Sequence, residues 1–238
     1  MEFVMALYTI SDLHLPLGID KPMDVFGKSW ENYVPRIEEE WKGKICGDDT
    51  VVLPGDFSWA TYLEQSKKDF DFLDSLPGKK ILLKGNHDYW WSTLNKMRGF
   101  ISQNGYENID FLHNTSFMYK NTAICGTRGW GYIGFGTAKP EDMTIYEREA
   151  MRLEMSMEAG KKNNPEEILV FMHYPPISRG CTQNRFTELF EKYGVKRCVY
   201  GHIHGAQKKN ALVGNVRGVE YMLVSCDCMG FSPVKLCD

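Results

Sequence analysis

Five short polar blocks carry side chains that could do chemistry. They are Asp12 and His14 in "SDLH", Asp56 in "GD", Asn86, His87 and Asp88 in "GNHD", His173 in "HYPP", and His202 and His204 in "GHIHG". As metal donors the set offers three or four imidazoles, two carboxylates and one amide, and no thiolate. Mixed nitrogen and oxygen donors suit Mn, Fe, Co, Ni or Zn in five- or six-coordinate geometry, not the closed thiolate sites of structural zinc. Seven donors are too many for one ion and about right for two. A carboxylate shared by two ions would hold them roughly 3.5–4 Å apart, the arrangement that clamps both oxygens of an in-line phosphoryl displacement.

Each block closes a short apolar run that reads as a buried strand: "ALYTI" (6–10), "TVVLP" (50–54), "KILLK" (80–84), "EILVFM" (167–172) and "RCVYG" (197–201). Five of the six histidines therefore stand at strand ends. In open α/β sheets, ligands bind outside the carboxyl ends of the strands, which places these residues on one rim. In extended chain, residues i and i+2 point the same way. Asp12 and His14 then project together with Leu13 turned to the core, and His202 and His204 do the same around Ile203. Two further runs, "TAICG" (122–126) and "EYMLVS" (220–225), complete the strand set. Between the runs the spacing predicts helices over 29–43, 59–75, 90–103, 141–162 and 185–193. Such alternation predicts an α/β fold. "FLHNTSFMYKNTAIC" reads instead as short strands turning at "YKNT", and the tail after 205 is strand-rich. The expectation is one domain, 1–238, of α/β class with an antiparallel part, for which two sheets packed face to face are one arrangement.

Composition narrows the partners. At 43% hydrophobic and 25% charged residues, the chain has ample core and is not disordered. A formal net charge of −3 gives no global field for nucleic acid or anionic membranes, so anion binding must be local. No apolar run approaches a membrane span, and the start has neither a basic region nor a small-residue cleavage site. Seven scattered cysteines without paired zinc spacing read as reduced thiols of a cytoplasmic protein.

The ordered series "DLH … GD … GNHD … H … GHIH", spanning residues 12 to 204, resembles the signature of the calcineurin-like metallophosphoesterases. That resemblance implies a four-layer fold of two packed mixed sheets between helices. It further implies that Asp12, His14 and His204 bind a first divalent metal, that Asp56 bridges, and that Asn86, His173 and His202 bind a second. His87 would approach the leaving group or the phosphoryl oxygens, with Asp88 orienting it through the far ring nitrogen. The implied reaction is hydrolysis of a phosphate ester by in-line attack of a metal-bridging hydroxide, with Mn, Fe or Zn as the favoured ions.

The departures shape the substrate reading. The "GDxxDRG" and "GNHE" of the family's protein phosphatases are here "GDFSWA" and "GNHD". The lipid A pathway hydrolase shares a "DLHL" start but has arginine where His87 stands. A small-molecule or nucleotide-type phosphomonoester or phosphodiester is the expectation. A nuclease on the same site would want a basic track, and only scattered pairs such as Lys208–Lys209 occur. A non-catalytic interaction module should have lost ligands, and all are kept. "GWGYIG" (129–134) matches G-x-G-x-x-G, but no helix opens after it, so it reads as a loop beside the site. Arg128 and Arg179 could clamp a phosphate oxygen, or be solvated. Trp59, Trp90, Trp91 and Trp130 divide between pocket wall and core, with core favoured for at least two. His113 reads as structural, and Met143, Met151, Met155 and Met157 as a core or partner face.

Overall fold

The runs "TVVLP", "KKILL" and "EILVFM" are apolar on both faces, as strands must be when a second sheet covers one side and helices the other. The computed structural model describes residues 5–21, 23, 25, 27–131 and 139–238. In it β1 (Leu7–Thr9), β2 (Thr50–Pro54), β3 (Lys79–Leu83), β4 (Ile109–Phe111) and β11 (Val234–Cys237) form one sheet, in the order β11-β1-β2-β3-β4. The second sheet is β5-β6-β7-β8-β10-β9, from β5 (Phe117–Tyr119), β6 (Thr122–Thr127), β7 (Glu167–Met172), β8 (Arg197–Tyr200), β9 (Gly214–Val216) and β10 (Val219–Leu223). Strands β1 to β4 are parallel, as are β6, β7, β8 and β10, while β5, β9 and β11 pair antiparallel.

Leu7, Val52, Ile81 and Leu83 of the first sheet meet Ile124, Leu169, Phe171 and Val199 of the second, in a buried layer between them. Outside the first sheet lie α1 (Tyr33–Lys44), α2 (Lys67–Ser75) and α3 (Leu94–Asn104), burying Trp41, Phe70 and Met97. Outside the second lie α4 (Pro140–Lys161) and α5 (Arg185–Tyr193), burying Leu153, Phe186 and Phe190. The result is the expected four layers of helix, sheet, sheet and helix. No helix among the described residues is long and apolar enough to cross a membrane.

Helix starts differ from expectation for local reasons. The stretch from 59 is helical only from Leu63, because the Gln65 carboxamide accepts from Thr61 and Tyr62 N–H and caps the chain there. Thr93 caps α3 in the same way, leaving Trp90 and Trp91 outside it. The start of α5 falls where expected: Asn184 accepts from Phe186 and Thr187 N–H there, and the helix ends at Gly194 with φ 69°. The "GWGYIG" loop runs into 132–138, outside the described residues.

Candidate metal centre

The parallel strands of both sheets deliver the polar blocks to one edge. Asp12 and His14 follow β1, Asp56 follows β2, Asn86 to Asp88 follow β3, His173 follows β7, and His202 and His204 follow β8. The backbone there is not extended: φ is 60° at Asp12, 46° at His14, 53° at Asp56 and 70° at His202. This corrects the i, i+2 argument. Left-handed residues turn these side chains together, a strain that persists only where surrounding bonds impose it. Asp12 N–H donates to Gly55 O at 3.0 Å and His14 N–H to Asp56 O at 2.9 Å, tying the β1 exit to the β2 exit. Leu13 points inward as expected, and Ile203 is half-buried against the second sheet's outer core.

Two groups of donor atoms result. In the first, His204 Nε2 lies 3.3 Å from Asp12 Oδ1 and 3.4 Å from His14 Nε2. In the second, His173 Nε2 and His202 Nδ1 converge on Asn86 Oδ1 at 2.6 and 2.8 Å. Asp56 Oδ2 stands between them, 3.7 Å from His14 Nε2 and 3.4 Å from His173 Nε2. The other oxygen, Oδ1, accepts the His87 N–H at 2.7 Å. Asp12 also lies within ligand range of both groups. Its approach to His173, however, is 4.0 Å to Nδ1, and that nitrogen is 3.1 Å from Pro54 O as a donor. Asp56 is thus the carboxylate that faces the free nitrogens of both groups.

The donor chemistry fits divalent ions. Asp12, His14, Asp56 and His173 are all buried. Burial first, and then the charges of Asp12 and Asp88, push the Asp56 carboxyl well above its usual range. Burial would also raise Asp12, but the His204 hydrogen bond and the fields of His204 and His173 outweigh it and hold that carboxyl low. Burial keeps His14 and His202 below their ordinary value and His173 down at about 3, so these rings present lone pairs at neutral pH. Burial opposes charge on His204, yet its bonds to Asp12 and Asp227 lift it to about 10. Buried carboxylates facing neutral imidazoles attract a cation, and release of the His204 proton would complete the set.

A family model described as calcineurin-like phosphoesterase matches residues 5–206. The chain belongs to this family. No curated protein sequence matches it. Among solved structures, a protein of unknown function from Aquifex aeolicus, AQ665, superposes with TM-score 0.52 at 17% identity over 98% of this chain and 96% of that one. The phosphopantetheinyl hydrolase of Mycobacterium tuberculosis gives 0.51 at 12% identity over 97% and 95%. The Thermus thermophilus protein TT1561 gives 0.54 at 12% over 98% and 99%. At these identities the likeness is one of fold.

In this calcineurin-like phosphoesterase, Asp88 does something other than the expected orienting of His87. It is fully buried. Its Oδ2 accepts from Asp56 and Gly85 N–H at 2.9 and 2.7 Å, and its Oδ1 from Phe57 N–H, Ser58 N–H and Trp90 Nε1 at 2.9, 3.3 and 3.0 Å. No hydrogen bond joins it to the His87 ring among the described residues. Asp88 cross-links the two loops that carry Asp56 and Asn86. A side chain at Gly85 would collide with the Asp56 carboxylate, so glycine lets these loops touch. Burial, opposed by those N–H donors, places Asp88 at about 6, ionised at neutral pH.

His87 is half-buried, 4.5 Å from the Trp59 ring and 5.6 Å from the His14 ring. Burial and then nearby Lys21 lower it to about 4. Trp59 also stacks on His14 at 4.5 Å, so it is a wall of the site, while Trp90 is core against Phe57 and Phe70. Arg179 is exposed and donates to Lys209 O. Met143, Met151 and Met155 are exposed on α4, and Met157 is buried.

Three supporting residues escaped the sequence reading. Asp227 Oδ1 lies 2.9 Å from His204 Nδ1, the carboxylate–histidine arrangement that orients a metal ligand. Tyr33 Oη donates to His14 O at 2.6 Å. Asp69 on α2 accepts from Leu17 N–H and from Ser58 Oγ, joining the β1 and β2 loops. The one local signal was an acidic residue following strand β10, where "SCDCM" drew attention only to its cysteines.

Proposed function

We propose that the chain is a dinuclear-metal-dependent phosphohydrolase acting on a phosphomonoester or phosphodiester of small-molecule or nucleotide type, in the cytoplasm, with its seven cysteines as free thiols. The observation that supports this best is Asp56 Oδ2, facing His14 Nε2 and His173 Nε2 from between the two donor groups. Asp12, His14 and His204 would hold one ion, Asn86, His173 and His202 the other, and Asp56 would serve both. When bound, two divalent ions of the Mn, Fe or Zn kind supply Lewis acidity and an activated water.

The chain's own residues do the rest. Asp88 fixes the separation of the Asp56 and Asn86 loops, and Asp227 fixes the His204 ring. His87, neutral at pH 7 and braced by Trp59, donates a ring N–H to a phosphoryl oxygen as charge develops there. That choice favours stabilisation of the equatorial oxygens over proton delivery to the leaving group.

The test is elemental analysis of the purified protein, paired with hydrolysis of p-nitrophenyl and bis-p-nitrophenyl phosphate under added Mn²⁺. Near two ions per chain with turnover is expected. One ion or none after reconstitution, without turnover, refutes the proposal.

A further inference from the structure

The edge that carries the ligands continues beyond them. Lys84 leaves the end of β3 two residues before Asn86, His113 follows β4, and Arg128 follows β6. With Trp91 from the β3 loop and Glu149 and Arg152 from α4, they line a cavity of about 290 Å³. The backbone ties this cavity to the metal centre. Only Gly85 separates Lys84 from the ligand Asn86, and Arg128 O accepts the N–H of His173 at 3.2 Å and of Tyr174 at 2.9 Å.

Its charges do not balance. Lys84, Arg128 and Arg152 face one carboxylate, Glu149. Glu149 is buried and already satisfied, by Arg152 Nη1 at 2.6 Å, Thr127 Oγ1 at 2.5 Å and Arg128 Nη2 at 3.5 Å. Lys84 is half-buried and makes no hydrogen bond or ion pair among the described residues. Two further donors, Arg128 Nε and Trp91 Nε1, are buried without an acceptor among the described residues. Buried N–H groups are nearly always paired, so an orphan on each of two residues that line the cavity, beside an unpaired ammonium, describes a place where acceptor oxygens belong. Glu149 accounts for Arg152 and for the Nη2 end of Arg128, and leaves Arg128 Nε, Trp91 Nε1 and Lys84 unexplained. A guanidinium edge with an ammonium and an indole N–H matches the several oxygens of a phosphate. The cavity has room for that group and a short linker.

We infer that this cavity is an anion subsite for a second phosphate of the substrate, so that the preferred substrates are small bisphosphorylated molecules, with one phosphate at the metal centre and the other between Lys84, Arg128 and Trp91. The inference rests on the phosphohydrolase reading of the neighbouring site.

The metal-loaded protein is assayed on matched pairs: fructose 1,6-bisphosphate against fructose 6-phosphate, and 2,3-bisphosphoglycerate against 3-phosphoglycerate. A kcat/KM preference for the bisphosphate of at least about 10-fold in one pair, carried by KM, is expected from a charge-assisted phosphate contact. Lys84→Met should bring that preference to within about 2-fold while metal content stays at the wild-type value, and Lys84→Arg should keep it. Trp91→Phe, which removes the orphan donor together with the pyrrole half of the ring, should lower it in the same direction. Turnover of p-nitrophenyl phosphate with no bisphosphate preference in either pair, or a preference untouched by Lys84→Met, overturns the subsite and leaves the phosphohydrolase reading standing. Absence of turnover of both p-nitrophenyl and bis-p-nitrophenyl phosphate by the loaded protein overturns both.

Discussion

Replacing Asp88 by asparagine separates two accounts of the "GNHD" block. The carboxylate accepts five N–H bonds, two on Oδ2 and three on Oδ1. A carboxamide has one oxygen. In its better orientation it keeps the bonds from Phe57, Ser58 and Trp90 and turns its NH₂ against the N–H groups of Asp56 and Gly85. Hydrogen bonds to a charged acceptor contribute about 1.5–3 kcal/mol each, so losing two costs about 3–6 kcal/mol. Relief from burying a charge offsets part of this, leaving about 3 kcal/mol. For a chain of this length that lowers Tm by roughly 6–12 °C. The two amides released belong to the Asp56 loop and the turn before Asn86, so metal content should fall with stability. Urea unfolding and elemental analysis of Asp88→Asn measure both. If Asp88 acted by orienting His87, the variant would keep its metals, lie within about 1 kcal/mol of wild type, and lose kcat. That result would refute the cross-linking argument.

Further outcomes follow from the same geometry. Asp56→Asn should retain fewer than two ions per chain; two ions by elemental analysis would remove Asp56 from its bridging place. Asp227→Asn should weaken metal affinity about 10–100-fold, read by chelator competition, because one carboxamide oxygen cannot serve both the His204 ring and the Gly205 N–H that the two carboxylate oxygens hold at 2.9 and 2.8 Å. His87→Ala should leave metal content unchanged and cut turnover on p-nitrophenyl phosphate by at least about 10²-fold, with partial recovery in His87→Gln, which restores an N–H donor. Lys80 provides a pH test remote from the metals. It is 1% exposed, and burial, opposed by Asp74, lowers it from 10.5 to about 8. Between those values the unfolded chain holds the proton that the folded chain has released, so the Lys80 contribution to stability grows as pH rises from about 8 to 10.5 and is lost as pH falls through 8. Urea unfolding of wild type minus Lys80→Met should change by about 2–3 kcal/mol across that window, wild type gaining; a flat difference would show that Lys80 stays protonated in the fold.

Much of this was legible in the chain. Apolar runs bounded by Gly, Asn and His marked the strands, because a strand buried on both faces must be continuously apolar and must stop where polar residues begin. The family resemblance of "DLH", "GD", "GNHD", "HYPP" and "GHIHG" told which residues to expect together. Helix starts were misplaced where side-chain caps decided them: Gln65 and Thr93 act within one turn of chain, below the resolution of a hydrophobic period, whereas the helix that Asn184 caps began at 185 as expected. The inference that Asp12 and His14 share a direction was right in outcome and wrong in cause, since both sit in left-handed backbone imposed by bonds to the β2 exit.

Strand ends, donor types and donor order are properties of local pattern, so the chain alone was enough to read them. Which residues support those donors was settled by folding. Asp88 was drawn away from His87 by four backbone amides from two loops, Asp227 reached His204 from the turn after β10, and His113 joined Lys84 and Arg128 around a cavity. Each of those partnerships spans residues that are distant in sequence or turned by the backbone. A buried charge finds its partners wherever folding brings N–H groups within about 3 Å, and no spacing along the chain records that distance.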